Sequence, residues 1–191
     1  MMRIITGRAR GAKLNTLSGD ATRPTLERTK EAIFSMLGDV RSERVLDLFA
    51  GSGQLGLEAV SRGAACAVFC DRSREAVTVV RQNIQKTRLD DACEVYSADY
   101  QAFLERLYRG DGFDLVFLDP PYALGVIPRA LQLMLSRGLL HTGARIVCES
   151  GQAEDVFGGD EALAAKFEVL RQTRYGAAHV TILQYADGEV E

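Results

Sequence analysis

From residue 44 onward, short apolar runs alternate with stretches in which apolar residues recur at helical spacing. Strand-like runs cover residues 44–49, 65–71, 93–98, 113–118 and 144–149. Helical spacing fills residues 54–62, the segment after Ser73, about 100–108 and 124–136. Strands that alternate with helices at these intervals predict an α/β fold built on a parallel sheet.

The rhythm changes after residue 166. Two extended stretches, residues 167–174 and 179–185, are separated by the short segment 175–178, which contains Gly176. Such spacing predicts a hairpin. The sheet is therefore expected to be mostly parallel, with seven strands, and to end in an antiparallel pair.

The first 38 residues have a different pattern. Residues 3–14 are predicted to be extended, and residues 25–37 to form a helix with Leu26, Ile33 and Leu37 on one face and Gly38 as its stop. Both elements are too short to fold alone. We therefore expect a small amino-terminal extension, residues 1–38, docked on a larger domain of residues 39–191.

Composition narrows the class of protein. The chain has 191 residues, 47% hydrophobic and 26% charged, which excludes intrinsic disorder. Its longest wholly apolar run, residues 64–70, is far shorter than a membrane span, and its first residues turn polar too soon for a signal peptide. The sequence therefore predicts a soluble, cytoplasmic protein without a membrane partner.

The four cysteines, Cys66, Cys70, Cys93 and Cys148, are far apart and include no Cys-x-x-Cys pair. They are predicted to be reduced, buried thiols rather than a disulfide framework. Only two histidines are available as further soft ligands, so no metal site is expected.

Charge is distributed unevenly along the chain. Residues 1–30 contain seven basic and two acidic groups, whereas the rest of the chain is net acidic and the total is −3. A polyanion would be attracted to one end only. The candidates for phosphate contacts are Arg10, Lys13, Arg23 and Arg28; a solvated basic arm without a partner is the alternative.

A glycine loop follows the first strand of the α/β pattern. Gly51, Gly53 and Gly56 form a G-x-G-x-x-G motif, and Asp71 follows twenty residues after Gly51, as in dinucleotide-binding folds. Asp47, at the end of the strand, would repel a pyrophosphate but attract a cation. More than forty residues also precede this strand. The loop therefore favours S-adenosylmethionine, which carries a sulfonium and an ammonium group, over a dinucleotide.

Carboxylates at the ends of the next two strands fit the same cofactor. Asp71 can accept hydrogen bonds from ribose hydroxyls, and Asp99 can accept one from the adenine amine, although a helix cap is the alternative for Asp99. The predicted cofactor-binding residues are Asp47, Phe49, Ala50, Gly51, Ser52, Gly53, Asp71, Arg72, Asp99 and Tyr100.

The most informative stretch is Asp119-Pro120-Pro121-Tyr122, which ends an apolar strand. The prolines fix the loop, so that Asp119 and the Pro120 carbonyl can accept both hydrogens of an exocyclic amine while Tyr122 stacks on the base. Holding these hydrogens out of plane aims the nitrogen lone pair at a methyl donor. These four residues are the predicted catalytic residues.

With these motifs, the sequence resembles the RsmD family of bacterial ribosomal RNA guanine-N2 methyltransferases. The resemblance includes the loop of residues 47–56, its continuation to residue 64, and the Asp-Pro-Pro-Tyr loop. Two leading motifs also match, Arg3-Ile4-Ile5-x-Gly7-x-x-Arg10-Gly11-x-Lys13-Leu14 and Arg23-Pro24-Thr25-x-x-Arg28-x-x-Glu31-Ala32-x-Phe34.

The resemblance implies a Rossmann-like class I fold and methyl transfer from S-adenosylmethionine to the 2-amine of a guanine in 16S ribosomal RNA, on the small subunit or its precursor. The protein is expected to act as a monomer without metal. The Asp-Pro-Pro-Tyr loop alone also permits an adenine-N6 methyltransferase acting on DNA or RNA. A ribosome-assembly factor that binds RNA without catalysis is a further alternative.

Overall fold

A computed structural model of the protein describes residues 2–17, 24–108, 110–121, 125–150, 155–176 and 178–186. The helices are α1 (Pro24–Leu37), α2 (Gln54–Ser61), α3 (Arg74–Thr87), α4 (Tyr100–Arg106), α5 (Val126–Arg137) and α6 (Glu161–Ala164). The strands are β1 (Arg44–Asp47), β2 (Cys66–Asp71), β3 (Cys93–Ser97), β4 (Phe113–Leu118), β5 (Leu140–Ser150), β6 (Phe167–Tyr175) and β7 (Ala178–Tyr185).

The seven strands form one sheet in the order β3-β2-β1-β4-β5-β7-β6. Strands β1 to β5 pair in parallel, β7 pairs antiparallel with β5, and β6 closes the sheet as the antiparallel partner of β7. The predicted α/β fold with a terminal hairpin is confirmed. Strand order reverses between β1 and β4, and ligands bind at such switch points in open α/β sheets.

Alternating strand residues face two hydrophobic layers. Val45, Leu115 and Val147 pack on the side covered by α1, α2 and α3, and Leu46 and Val116 pack on the side covered by α4 and α5. Side chains alternate along a strand, so residues two positions apart lie on the same face. A polar residue two positions after a core residue therefore lies on that residue's face, at the carboxyl edge of the sheet.

Element boundaries have local causes. Ser73 caps α3, as predicted, by accepting a hydrogen bond from the Ala76 amide. Strand β5 starts earlier than its predicted residue 144, and its pairing with β4 shifts register between Phe113 and Leu115. The first residues of β5 are irregularly paired and do not form a continuous apolar run, so the sequence pattern placed the start of this strand too late.

The amino-terminal segment differs from the predicted extended conformation. Only Arg3 and Lys13 form a strand-like bridge, and the backbone between them turns back on itself. Gly7 and Gly11 have φ angles of 87° and 83°, a region that favours glycine, and the Gly11 amide donates to the Ile4 carbonyl. The two glycines therefore convert this segment into a compact loop. The predicted domain boundary at residue 38 stays a prediction.

A buried ionic cluster holds this loop against the sheet domain. Glu58, fully buried on α2, accepts hydrogen bonds from the amides of Ile5 and Thr6 at 2.8 and 3.0 Å. Lys30 of α1, also fully buried, lies 3.6 Å from the Glu58 carboxylate and donates to the Arg3 carbonyl. Glu58 thus joins α1, α2 and the amino-terminal loop.

All four cysteines are unbridged thiols, and Cys70 and Cys148 are buried. Across the described residues, no group of three or more His, Cys, Asp or Glu side chains could hold a metal ion. Within the same residues, no helix combines the length and the apolar character that crossing a membrane requires.

Candidate active site

Four carboxylates follow neighbouring strands at one edge of the sheet. In spatial order they are Asp99 after β3, Asp71 at the end of β2, Asp47 at the end of β1 and Asp119 after β4. Strands β1 and β4 are direct neighbours, with Asp47 in register with Phe117. The fold therefore brings together the glycine loop and the Asp119 loop, which are some seventy residues apart in sequence.

Asp71 holds the glycine loop in place. Its two carboxylate oxygens accept hydrogen bonds from the Gly51 amide at 2.9 Å and the Ser73 amide at 2.8 Å. Gly51 has φ 53°, and open space lies where its side chain would be. The backbone at Gly51 can therefore be approached closely by a ligand.

The next two glycines have structural roles. Gly53 has φ 76° and precedes the first residue of α2. A Cβ on Gly56 would lie 2.4 Å from a ring carbon of Phe69. The second glycine therefore permits the turn, and the third lets α2 pack against β2.

Asp47 is buried behind this loop and accepts a hydrogen bond from the Gly56 amide at 3.0 Å. Burial raises the pKa of Asp47 to about 7; the Gly56 hydrogen bond opposes the shift, and the negative charge of Asp71 adds to it. A nearby cation would favour the ionised form of Asp47. The position suits a positively charged ligand, and the predicted contact between Asp47 and the cofactor stays a prediction.

Two of the residues predicted to lie near adenosine, Phe49 and Tyr100, are in contact with each other. The Phe49 and Tyr100 rings lie 5.3 Å apart between centroids. Asp99 caps α4 by accepting from the Gln101 amide, so the capping alternative is confirmed while a further contact with adenine stays a prediction. Arg72 is exposed beside Asp71.

The Asp119 loop continues β4 at the same edge. Asp119 and Pro121 are exposed, and Pro120 is buried. Tyr122, predicted to stack on the base, lies outside the described residues. The exposed Asp119 carboxylate and the rigid dipeptide after it are therefore accessible to a substrate next to the glycine loop.

Two buried side-chain oxygens without partners bear on whether the site fits S-adenosylmethionine. Glu27 Oε1 and Gln54 Oε1 lack hydrogen-bond partners within the described residues. Glu27 is in the first turn of α1 and Gln54 begins α2; the Lys30–Glu58 ion pair joins the same helices one turn further on. Gln54 directly follows the glycine loop, and its unpaired acceptor can take a donor from a bound ammonium group. The residues present therefore fit this cationic cofactor.

Comparisons with known proteins identify the family of this chain. A family model described as Conserved hypothetical protein 95 matches residues 2–184. Ribosomal RNA small subunit methyltransferase D of Escherichia coli strain K12 is 35% identical over 150 residues, which cover 78% of this chain and 74% of the relative. The chain belongs to the RsmD family.

Solved structures support the RsmD-family fold. The protein yhhF from Escherichia coli is 30% identical and superposes with a TM-score of 0.81, covering 97% of this chain and 98% of its own. SMU.776, solved as a complex with SAH, is 14% identical with a TM-score of 0.65, covering 83% of this chain and 49% of its own. The second likeness concerns the fold alone.

The basic residues in the amino-terminal segment of this RsmD-family chain differ in whether their side chains have partners. Arg10, Lys13 and Arg28 are exposed, and no hydrogen bond or ion pair within the described residues engages their side chains. Arg23 lies outside those residues. In contrast, Lys30 is buried in its ion pair, and Arg8 lies 3.1 Å from Asp91. The predicted candidates within the described residues are therefore available for phosphate contacts.

Sequence reasoning missed Asn83, which links the amino-terminal segment of this RsmD-family protein to its glycine loop. The buried Asn83 amide donates to the carbonyls of Ser52 and Asn15 at 2.8 and 3.0 Å, and accepts from the Asn15 amide at 2.7 Å. Asn83 is a polar residue between Val80 and Ile84 on the apolar face of α3. Its position among apolar residues was the available signal.

Proposed function

We propose that this protein transfers a methyl group from S-adenosylmethionine to the exocyclic 2-amine of a guanine in 16S ribosomal RNA, on the small ribosomal subunit or its precursor. The observation that carries the proposal is the adjacency of the β1 glycine loop and the Asp119 loop in a member of the RsmD family. The printed name of the Escherichia coli relative supports ribosomal RNA as the substrate.

S-adenosylmethionine supplies an electrophilic methyl group on a positively charged sulfur. The loop of residues 49–53 would line the cofactor, with Asp47 near its cationic end, Asp71 and Arg72 near its ribose, and Asp99 and Tyr100 near its adenine. The open space at Gly51 and the buried carboxylate of Asp47 support this assignment. The SAH bound to SMU.776, a protein of the same fold, supports S-adenosylmethionine as the cofactor but identifies no residue of this chain.

Asp119 and the Pro120 carbonyl would hold the target amine. The lone pair of a guanine amine is delocalised into the ring, so two acceptors that hold its hydrogens out of plane make the nitrogen a better nucleophile. As the N–C bond forms and the S–C bond breaks, Asp119 can accept the proton that nitrogen loses. Pro121 would keep the loop rigid, and Tyr122 would stack on the base.

The amino-terminal loop and α1 would contact the RNA backbone. Arg10, Lys13 and Arg28 are exposed cations without partners among the described residues, and Arg23 belongs to the same basic segment. Phosphate contacts of this type position a substrate without reading its sequence. The base itself would be recognised at the sheet edge.

The pKa of Asp47 leads to a testable pH dependence. Below about pH 7 the buried carboxyl of the free protein holds a proton, which the bound cation must displace. We expect the Kd for S-adenosylmethionine to fall as pH rises from 5.5 to 7, by at most about tenfold per pH unit, and then to level off. Isothermal titration calorimetry across this range measures the effect.

Asp47→Asn is the matched variant, because its amide oxygen can still accept from Gly56. We expect weaker binding at pH 8 and a flat profile. Because the Asp47 pKa is higher in the folded chain than in the unfolded one, its ionisation costs stability from about pH 4 to pH 7. The variant should therefore melt at a higher temperature at pH 8. An unchanged pH profile in Asp47→Asn would contradict the assigned role.

The proposed function is tested by methyl transfer from labelled cofactor to three substrates: deproteinised small-subunit RNA, small-subunit particles and plasmid DNA. We expect label in RNA, in one or both forms, and none in DNA. Mass spectrometry of nuclease digests should then identify N2-methylguanine at one position. Label in adenine, or in DNA, would overturn the proposal.

A further inference from the structure

Glu149 is a carboxylate at the active-site edge with no role in the chemistry assigned so far. Strands β4 and β5 are parallel neighbours, with Leu118 in register with Cys148. The next residues along the two strands are Asp119 and Glu149. Neighbouring strands lie about 4.8 Å apart, so Glu149 is the nearest β5 residue to the proposed amine-binding carboxylate.

The face of the sheet on which Glu149 lies follows from its neighbours. Val147 and Phe117 pack in the same hydrophobic cluster, on the side covered by α1 and α2. Because strand side chains alternate, Glu149 follows Val147 on that side. Asp47 follows Val45 on the same side of β1. The Glu149 carboxyl therefore shares a face with the cofactor-side carboxylate of the glycine loop.

The Glu149 carboxyl is half-buried. Its antiparallel neighbour on β7 is the apolar Val180. No hydrogen bond or ion pair reaches its side chain from any residue that the structure describes. Burial raises the pKa of Glu149, as expected for a carboxyl removed from water without a compensating donor. A donor from a bound substrate would relieve that cost.

Guanine presents such a donor beside its 2-amine. Its ring N1–H lies next to the amine, so the two groups form a pair of adjacent donors. Adenine has an acceptor lone pair at N1 instead. If Asp119 accepts hydrogen bonds from the amine, then Glu149, which lies beside Asp119 on the neighbouring strand, is positioned to accept one from N1–H.

We propose that Glu149 accepts the N1–H of the target guanine and is a specificity-determining residue of the enzyme. The inference rests on the proposed function and adds to it. A carboxylate opposite N1 accepts the guanine hydrogen and repels the N1 lone pair of adenine or 2-aminopurine, so recognition and exclusion come from one group.

The test uses the full-length protein and RNA that carries either guanine or 2-aminopurine at the mapped target position. 2-Aminopurine keeps the 2-amine but has no N1–H. We expect wild-type kcat/KM to favour guanine. Glu149→Ala should lower kcat/KM for guanine by about 10- to 100-fold and raise that for 2-aminopurine, because a carboxylate no longer faces its N1 lone pair, and the preference should collapse.

Two further variants make the outcome decisive. Glu149→Gln keeps the shape and one acceptor oxygen, so it should fold normally and show an intermediate preference. Glu168→Gln is the matched control, because Glu168 is exposed on β6, toward the opposite edge of the sheet, and should behave as wild type. Equal losses on both substrates in the Glu149 variants, or equal use of both purines by wild type, would overturn the inference. Absence of transfer to guanine by wild type would contradict the proposed function itself.

Discussion

Asp119→Ala is expected to lower kcat for methyl transfer by about 10²- to 10³-fold, the effect of removing one positioned acceptor from a preorganised site. The Kd for the cofactor should hardly change, because Asp119 lies on the β4 loop rather than on the glycine loop. The Kd for RNA should also stay near the wild-type value, since phosphate contacts dominate affinity. Single-turnover kinetics with labelled cofactor measure the first effect, and direct titrations measure the other two.

Two companion variants distinguish chemistry from folding. Asp119→Asn keeps one acceptor oxygen and should lose less activity than Asp119→Ala. Asp90→Ala removes an exposed carboxylate before β3, at the opposite edge of the sheet, and should keep wild-type activity. In cells, an Asp119→Ala strain with no methylation but unchanged subunit assembly would favour an RNA-binding role for the protein. Full methylation by Asp119→Ala would contradict the catalytic assignment.

The sheet and the convergence of the carboxylates at one edge could be predicted because both depend on local patterns. Short apolar runs predict strands, intervening helical spacing predicts crossovers, and parallel strands bring their carboxyl ends to one edge. Asp47, Asp71 and Asp119 each directly follow or end such a run. Their convergence therefore followed from sequence, even though Asp47 and Asp119 are far apart in the chain.

Long-range polar pairs could not be predicted in this way. Lys30 belongs by sequence to a basic segment, yet it is buried against Glu58. Asn83 looks like any helical asparagine, yet it joins Ser52 to Asn15. Nothing in sequence spacing encodes which partner such a residue meets, because the pairing depends on how separate elements dock.

The structure separates the basic groups of the amino-terminal segment into two kinds. Lys30 and Arg3 form ion pairs with Glu58 and Glu27. Arg10 and Lys13 remain exposed on the loop that this cluster anchors. The paired cations thus help to fix the segment that displays the free ones, and the geometry of the proposed RNA contacts depends on the buried Lys30–Glu58 ion pair.

Glu58→Ala is therefore expected to destabilise the protein by about 3 to 5 kcal/mol. The substitution leaves the Lys30 ammonium buried without its counter-ion and removes the acceptor for the Ile5 and Thr6 amides. Burial already lowers the pKa of Lys30, and Glu58 acts against that shift. For a chain of this size the loss corresponds to a fall in Tm of roughly 10 °C or more. Calorimetry and urea unfolding measure the loss.

The partner substitutions make the cause identifiable. Combining Glu58→Ala with Lys30→Met removes the stranded charge, so the double variant should be more stable than the sum of the two single losses predicts. Limited proteolysis should cut within residues 3–14 far faster in Glu58→Ala than in wild type, since the anchored amides are released. Glu31→Ala, an exposed acidic position on α1, should change Tm very little. Strictly additive losses and unchanged cleavage would mean that Glu58 does not anchor this segment through its charge.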